Sequence, residues 1–326
     1  MELIKLEELA PREYEHPLDQ KALDALEKTS GLEVLVKKFN DFGVEGFLRL
    51  EFIGSNLKVT PSSLPDIYET LEEACEVLNL KTTPEIYMRP DDYFRKLEVT
   101  TNNLEGLTVG VNNPVIVIST ACVEAFSHSE LLFILGCEIG RLKSQHILYQ
   151  NIAWLFPILS GTVSSLIASI PGASLLASSI TGGLYLALVN WLRMADYTAD
   201  RAGLLACQDV NAAMTAMAKI AGLPKRYFDS FNLDDFLTQA REFEGFSDTT
   251  YNKVLKVLSL AVRDQAFTIA RANELLKWVD SGEYQAVLER QTKLQSAPAP
   301  SFCRHCGFKL EAAHAFCPSC GKPVSV

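Results

Sequence analysis

The sequence has 326 residues, 48% of them hydrophobic and 21% charged, which is enough apolar material for a sizeable core and argues against a disordered protein. Thirty Lys and Arg against forty Asp and Glu give a formal net charge of -10, so a general attraction to nucleic acid phosphates is excluded and no nucleic-acid partner is expected. The acidic N-terminus has no apolar run typical of a secretory signal, so we expect a cytoplasmic location.

Sequence patterns predict a mainly α-helical fold with a small β-sheet (α+β). Apolar residues at helical spacing predict an amphipathic helix over 62–79, and a capping box at Ser127–Glu130 predicts the start of a long helix. Runs rich in β-branched and aromatic residues predict strands at 46–52, 84–88, 106–111 and 114–119. After residue 193 the chain is predicted to be helical to about residue 295, with Asp209 as an N-cap and Gly222 as a helix stop.

The longest uncharged stretch covers residues 144–192, where 49 consecutive positions hold no Asp, Glu, Lys or Arg. Pro171-Gly172 divides it into two apolar segments of about membrane-spanning length, which predicts an apolar helical hairpin within 151–192. Residues 152–192 are expected to contact either a membrane or other subunits. Basic residues flank the stretch on both sides and favour cytoplasmic-facing ends; they are Arg141, Lys143, Arg193 and Arg201.

Two short segments flank this stretch. The first is Cys137-Glu138-Ile139-Gly140-Arg141 on the predicted long helix, and the second runs from Arg193 through Asp196 and Ala199-Asp200-Arg201 to Gly203. Together they resemble the signature segments of the membrane-associated zinc metallopeptidases typified by the heat-shock protease HtpX and the CAAX prenyl protease. Weaker matches at Gly106–Gly110 and Ala266–Leu275 extend the resemblance over roughly residues 20 to 290. The resemblance implies a zincin-like metallopeptidase fold with the apolar hairpin between its two signature helices.

The departures from the family pattern fall on the metal ligands. The family binds zinc through two histidines of H-E-x-x-H and a glutamate on the second helix, and these positions hold Cys137, Arg141 and Asp196 here. The general-base position, Glu138, is unchanged. Arginine has no lone pair to offer a metal, and a unit charge about 4 Å from a dication costs roughly 8 kcal/mol at an effective dielectric of about 20.

We therefore expect no active-site zinc, with the Arg141 guanidinium bonded to Glu138 and Asp196 where the metal would lie. The resemblance places Asp200 and Arg193 beside these residues, since the family uses the aspartate to orient a ligand histidine. Of the histidines, His146 is expected to be packed in the protein, while His128 and His16 are expected at the surface.

The C-terminal segment carries two Cys-x-x-Cys pairs. Cys303, Cys306, Cys317 and Cys320 supply four thiolates, which predicts one structural zinc in a ribbon over 302–326. Such closed coordination leaves no catalytic position, so the ribbon is expected to bind a protein partner. A Pro/Ala/Ser linker over 295–301 separates it from a metallopeptidase-like domain over 1–294.

Three functions remain open from the sequence. The first is a catalytically silent metallopeptidase-fold protein, anchored to a membrane or an assembly, that acts as a scaffold or adaptor through the ribbon. The second is an active metal-dependent endopeptidase with a non-standard ligand set around Cys137 and Asp196. The third is a soluble oligomeric scaffold in which the hairpins form the subunit interface.

Overall fold

A computed structural model describes residues 3–41, 43–90, 104–154, 156, 177–245, 266–296, 301–302, 306, 308–310 and 316–322. Helices dominate these residues, as the sequence predicts. They are α1 (Pro17–Glu27), α2 (Leu32–Asp41), α3 (Val44–Ser55), α4 (Pro65–Val77), α5 (Thr120–Ala125), α6 (His128–Lys143), α7 (147–154), α8 (Ala177–Cys207), α9 (Val210–Ile220), α10 (Leu233–Gly245), α11 (Thr268–Asp280) and α12 (Glu283–Ser296). Short 3-10 helices occupy Pro11–Glu13 and Lys225–Ser230.

The sheet is small and mixed. Its strands are β1 (Leu57–Lys58), β2 (Glu85–Arg89), β3 (Leu107–Val109) and β4 (Val115–Ser119), in the order β1-β2-β4-β3. Only β2 and β4 run parallel, with Ile86 opposite Ile116, and the other pairs are antiparallel. The predicted strands at 84–88, 106–111 and 114–119 are confirmed. A two-stranded hairpin, β5 (Ser301–Phe302) with β6 (Lys309–Leu310), lies in the C-terminal segment.

The predicted strand at 46–52 is wrong, because these residues lie inside helix α3. Leu48, Arg49, Leu50 and Glu51 are good helix formers, and they outweigh the aromatic residues around them. Burial follows the helix: Phe52 is buried whereas Leu50, two positions earlier, is exposed. Residues two apart share a face in a strand but lie on different faces of a helix.

Helix caps agree with the sequence. Ser127 caps α6 in a complete capping box with Glu130, and Asp209 caps α9 by accepting a hydrogen bond from the backbone N–H of Ala212. Helix α9 ends at Ile220, and Gly222 follows with φ +114°, a left-handed conformation that favours glycine.

The two helices that carry the signature segments, α6 and α8, are the most closely packed pair. Glycines on both helices allow this approach: Gly136 and Gly140 face Ala206 and Ala202 across the pair. A Cβ placed on Gly203 would lie 2.5 Å from Cys137 Sγ and 2.7 Å from the carbonyl oxygen of Phe133. The backbone contact therefore fixes residues 137–141 opposite residues 196–203.

Described residues pack into one large core around α4, α6, α8, α9 and α11, and a second core where α1 and α2 meet α7 and α8. A third cluster covers one face of the sheet beneath α3, and Trp154 packs against both the second and the third. The first core contains buried side chains of both α6 and α8, and the second contains those of α8.

The turn of the predicted apolar hairpin at Pro171-Gly172 lies outside the described residues. Its second arm enters α8, where Leu184 and Leu188 are fully buried in the second core. Among the helices in the described part of the chain, none combines the length and apolarity needed to cross a membrane.

The interpretation of the flanking basic residues as membrane-flanking charges is wrong for three of them. Arg141, Arg193 and Arg201 are buried inside the protein, because each bonds to a protein acceptor.

Candidate functional site

The side chain of Arg141 lies between the two signature helices. Its Nη2 donates to Asp196 Oδ1 at 2.7 Å, and its Nε lies 3.6 Å from Glu138 Oε1. All three side chains are buried. Burial opposes the charge of Arg141, but the two carboxylates outweigh it and raise the pKa of the guanidinium, which stays protonated. The ion pairs expected from the sequence are therefore present.

Glu138 is fixed from the opposite side by strand β3. The hydroxyl of Thr108 donates to Glu138 Oε2 at 2.6 Å, and the side chain of Gln150 donates to the Thr108 carbonyl at 3.3 Å. Gly106 leaves room for the carboxylate, because a Cβ there would lie 2.7 Å from Glu138 Cγ. Burial raises the pKa of Glu138 although Arg141 and Thr108 act to lower it.

A second buried ion pair lies beside the first. Arg271 on α11 binds Asp200 through two hydrogen bonds, Nε to Oδ2 at 2.9 Å and Nη2 to Oδ1 at 2.7 Å, and its Nη1 contacts Glu105. This is the bidentate geometry that makes arginine–carboxylate pairs strong. The Cys137 thiol donates to Asp200 Oδ1 at 3.9 Å, and burial raises the pKa of Cys137 well above its ordinary value. The thiol therefore stays protonated.

Side chains from both ion pairs line a cavity of about 50 Å³, which has room for a few water molecules. Charged side chains line one part of it and apolar side chains the other. The lining includes Glu138, Arg141, Asp196, Arg271, Leu107 and Leu192.

The donor set of this cavity does not fit a catalytic zinc, which needs three protein ligands around one point. Within the described residues, no three His, Cys, Asp or Glu ligand atoms converge here. Arg141 offers only donors, Asp196 already accepts from Arg141 and from the backbone N–H of Ala266 at 3.3 Å, and the Cys137 thiol points to Asp200.

The remaining predicted residues lie outside the cavity lining. Arg193 is buried, and its Nε donates to the carbonyl of Val189 one turn earlier on α8, at 3.1 Å. His146 is buried with Nε2 3.2 Å from Asp19, and His128 is exposed beside Glu73. The expectation for His16 is wrong: it is buried because it caps α1 and bonds to Glu274 at 3.3 Å.

Cysteines of the C-terminal segment form a second candidate site. The sulfur atoms of Cys306, Cys317 and Cys320 lie within 4.8 Å of one another, and those of Cys306 and Cys317 are 3.6 Å apart. This spacing suits thiolates around one metal ion. Gly321, directly after the second pair, has φ +69°. Cys303, the predicted fourth ligand, lies outside the described residues.

Helices α6 and α8 pack closely, carry Cys-Glu-x-x-Arg and Asp-x-x-x-Asp, and have a strand beside the glutamate. This is the arrangement of a metallopeptidase-type helix pair with altered metal ligands. The profile described as Peptidase family M48 matches residues 96–288. This is more than half of the sequence, and the chain belongs to that family.

One relative is the Plastoglobule-localized metallopeptidase 48, chloroplastic, of Arabidopsis thaliana. It is 28% identical over 281 residues, which cover 86% of this chain and 76% of the relative. No solved structure matches the chain.

Sequence reasoning did not assign roles to Thr108, Gln150, Glu105 or Arg271. Two of them lie in the weaker family matches, Thr108 in Gly106–Gly110 and Arg271 in Ala266–Leu275. These weaker matches are the sequence feature that could have pointed to Thr108 and Arg271. The roles of the residues depend on which helix and strand meet across the cavity.

Proposed function

We propose that this M48 family chain is a metallopeptidase-fold protein without peptidase activity, in which the Arg141 guanidinium takes the place of the catalytic zinc. The supporting observation is the 2.7 Å bond from Arg141 to Asp196, which connects the two helices that would otherwise share a metal.

The charge of the site supports the same conclusion. A zinc ion would meet the Arg141 guanidinium at close range, at a cost of roughly 8 kcal/mol for a 4 Å separation and an effective dielectric of about 20. Moving Arg141 away would leave both carboxylates without their cation. Glu138 keeps the general-base position, but its contact with the Arg141 guanidinium and the hydrogen bond from Thr108 hold the carboxylate as a structural group.

The Cys cluster supports a separate role for the C-terminal segment. We assign one structural zinc to Cys306, Cys317 and Cys320 with Cys303 as the fourth ligand, and a partner-binding function to the ribbon. Phe308 and Phe316 are exposed on it and provide apolar surface for a protein partner. With the uncharged stretch as an anchor to lipid or to other subunits, the protein is a scaffold or adaptor.

The name of the Arabidopsis relative places that protein at plastoglobules. For this chain, we extend the name only to association with a lipid surface. The cytoplasmic orientation stays a prediction of the sequence.

Metal content tests the proposal directly. The purified protein should contain about one zinc per chain, and deletion of residues 301–326 should remove all of it. Neither form should degrade casein with added Zn²⁺, Co²⁺ or Mn²⁺. A second zinc that survives the deletion would contradict the proposal and favour the active endopeptidase. So would metal-dependent proteolysis that Glu138→Gln abolishes.

Restoring the family's ligands gives the matched positive control. The triple variant Cys137→His, Arg141→His, Asp196→Glu should bind about one additional zinc per chain, since it supplies two imidazoles and the longer carboxylate. The double variant Cys137→His, Asp196→Glu keeps Arg141 and should not. If the double variant binds the extra zinc equally well, Arg141 is not what excludes the metal.

A further inference from the structure

We propose that the cavity lined by α6, α7 and α8 binds a small primary alkylammonium ion. The charged nitrogen would lie toward the carboxylates and Gln150, and the alkyl chain against the apolar part of the lining. The proposal rests on the silent-site assignment made above, because a zinc ion would occupy the same space. It adds the chemical class of a ligand for the site that has no metal.

The charges around the cavity leave a surplus of negative charge. Among the described residues, the lining contains three carboxylates and two guanidinium groups, which belong to Glu105, Glu138, Asp196, Arg141 and Arg271. A further carboxylate, Asp200, accepts both hydrogen bonds of the bidentate pair with Arg271. Carboxylates therefore outnumber guanidinium groups by two in this set, and every member except Glu105 is buried. Uncompensated charge is costly in a protein interior, so the set favours a bound cation.

The side chain of Gln150 provides an independent observation. It lines the cavity and is 2% exposed, and its Nε2 is fixed by the Thr108 carbonyl at 3.3 Å. The other amide atom, Oε1, is buried and accepts no hydrogen bond within the described part of the chain. Arg141 Nε lies 3.6 Å from Glu138 Oε1, which is longer than a hydrogen bond, so this oxygen also has capacity to accept. Buried acceptors without donors favour a ligand that donates hydrogen bonds.

An ammonium group suits these acceptors better than a metal ion does. It carries one positive charge and N–H donors, and a primary amine with an ordinary pKa of about 10.4 is protonated at neutral pH. A metal dication would meet twice the repulsion from Arg141 that a single charge meets. Within the described residues, no three His, Cys, Asp or Glu ligand atoms converge at this cavity.

The apolar part of the lining selects an alkyl chain. Leu107, Ile134 and Leu192 are buried there, and Trp154 lies beside them. Methylene groups gain free energy when they leave water for such a surface, and an indole ring also attracts a cation.

Cavity size limits the length of the chain. A volume of about 50 Å³ holds about four water-sized groups at roughly 10–15 Å³ each. One ammonium nitrogen and three carbons fill that space, so propylammonium is the matching probe. A ligand of about four heavy atoms reaches a Kd of about 40 µM at best, so a titration must extend to about 10 mM.

Isothermal titration calorimetry of the full-length protein with propylammonium chloride tests the site. We expect saturable binding at a single site. Three analogues separate the features of the ligand: 1-propanol lacks the charge, propionate reverses it, and propyltrimethylammonium keeps the charge without N–H donors. Each should bind at least about tenfold more weakly. Sodium chloride at the same concentrations controls for ionic strength.

Two substitutions test the assignment of residues. Gln150→Leu removes the free acceptor and should weaken propylammonium binding by about tenfold. Glu105→Gln removes one surplus charge without changing the size of the side chain and should weaken binding to a similar extent, which keeps the test decisive if Gln150→Leu does not fold. The matched control is Gln285→Leu, which changes an exposed glutamine on α12 and should bind like the wild type. Thermal unfolding checks that each variant is folded.

Three results would overturn the proposal. The first is a wild type without saturable binding of propylammonium up to about 10 mM. The second is equal affinity for 1-propanol, which would show that the carboxylates play no part. The third is wild-type affinity in folded Gln150→Leu and Glu105→Gln.

Failure here is separable from failure of the silent-site proposal, because zinc content and proteolysis are measured without the amine. A protein with no second zinc and no amine binding overturns the ligand alone. A second zinc that survives deletion of the ribbon contradicts the silent site, whatever the titration shows.

Discussion

Replacement of Arg141 by alanine tests most directly how the two signature helices are joined without a metal. The change removes the donor to Asp196 at 2.7 Å and the cation 3.6 Å from Glu138. Both carboxylates remain buried, and within the described part of the chain Asp196 keeps the hydrogen bond from the backbone N–H of Ala266.

Breaking a buried ion pair by removing one partner costs about 3–5 kcal/mol, because an uncompensated charge is left in the interior. Domains of this size lose about 2–4 °C in Tm per kcal/mol, so the melting temperature should fall by at least about 6 °C. The matched control is Arg241→Ala, since Arg241 pairs with Asp280 at 3.8 Å with both side chains more than half exposed. That change should cost less than about 1 kcal/mol.

Urea and thermal unfolding of both variants measure the difference. Adding Asp196→Asn to Arg141→Ala should recover part of the lost stability, since an amide is cheaper to bury than a carboxylate. Equal stability of Arg141→Ala and Arg241→Ala would refute the reasoning and place Arg141 in contact with solvent.

Three further predictions follow from particular contacts. Gly203→Ala should destabilise the protein by about 1–3 kcal/mol, because the new Cβ would lie 2.5 Å from Cys137 Sγ. Gly182→Ala, where a Cβ would meet no atom within 4 Å, should stabilise the helix by about 0.5–1 kcal/mol. Denaturant unfolding of both variants measures the difference. The His16 hydrogen bond lowers the pKa of Glu274 to about 2 from 4.5, so its contribution is full above about pH 4.5 and disappears as pH falls through about 2. The stability difference between wild type and Glu274→Gln should therefore vanish toward pH 2, and a difference independent of pH would contradict it. Zinc chelation should leave the thermal unfolding of α1–α12 unchanged, and a lowered main transition would refute independent folding of the ribbon.

Features that depend on local spacing could be predicted from the sequence. Capping chemistry fixed the starts of α6 and α9, because Ser127 and Asp209 meet the free N–H groups of their own helices. The residues of the two signature segments indicated the family. Because a guanidinium has no lone pair to offer a metal, Arg141 was expected not to serve as a zinc ligand. Two Cys-x-x-Cys pairs indicated the thiolate site, whose Cys306, Cys317 and Cys320 lie together.

Features that depend on contacts between distant segments could not be predicted from the sequence. The buried face of α3 depends on its contact with the sheet, where Phe52 is buried while Leu50 is exposed. Arg271 joins Asp200 and Glu105 across 71 and 166 positions of sequence, and His16 is buried because α11 brings Glu274 to it. Charge and burial at such positions depend on which surfaces meet, since the free energy of a charged group is determined by its neighbours in space and not by its neighbours in the chain.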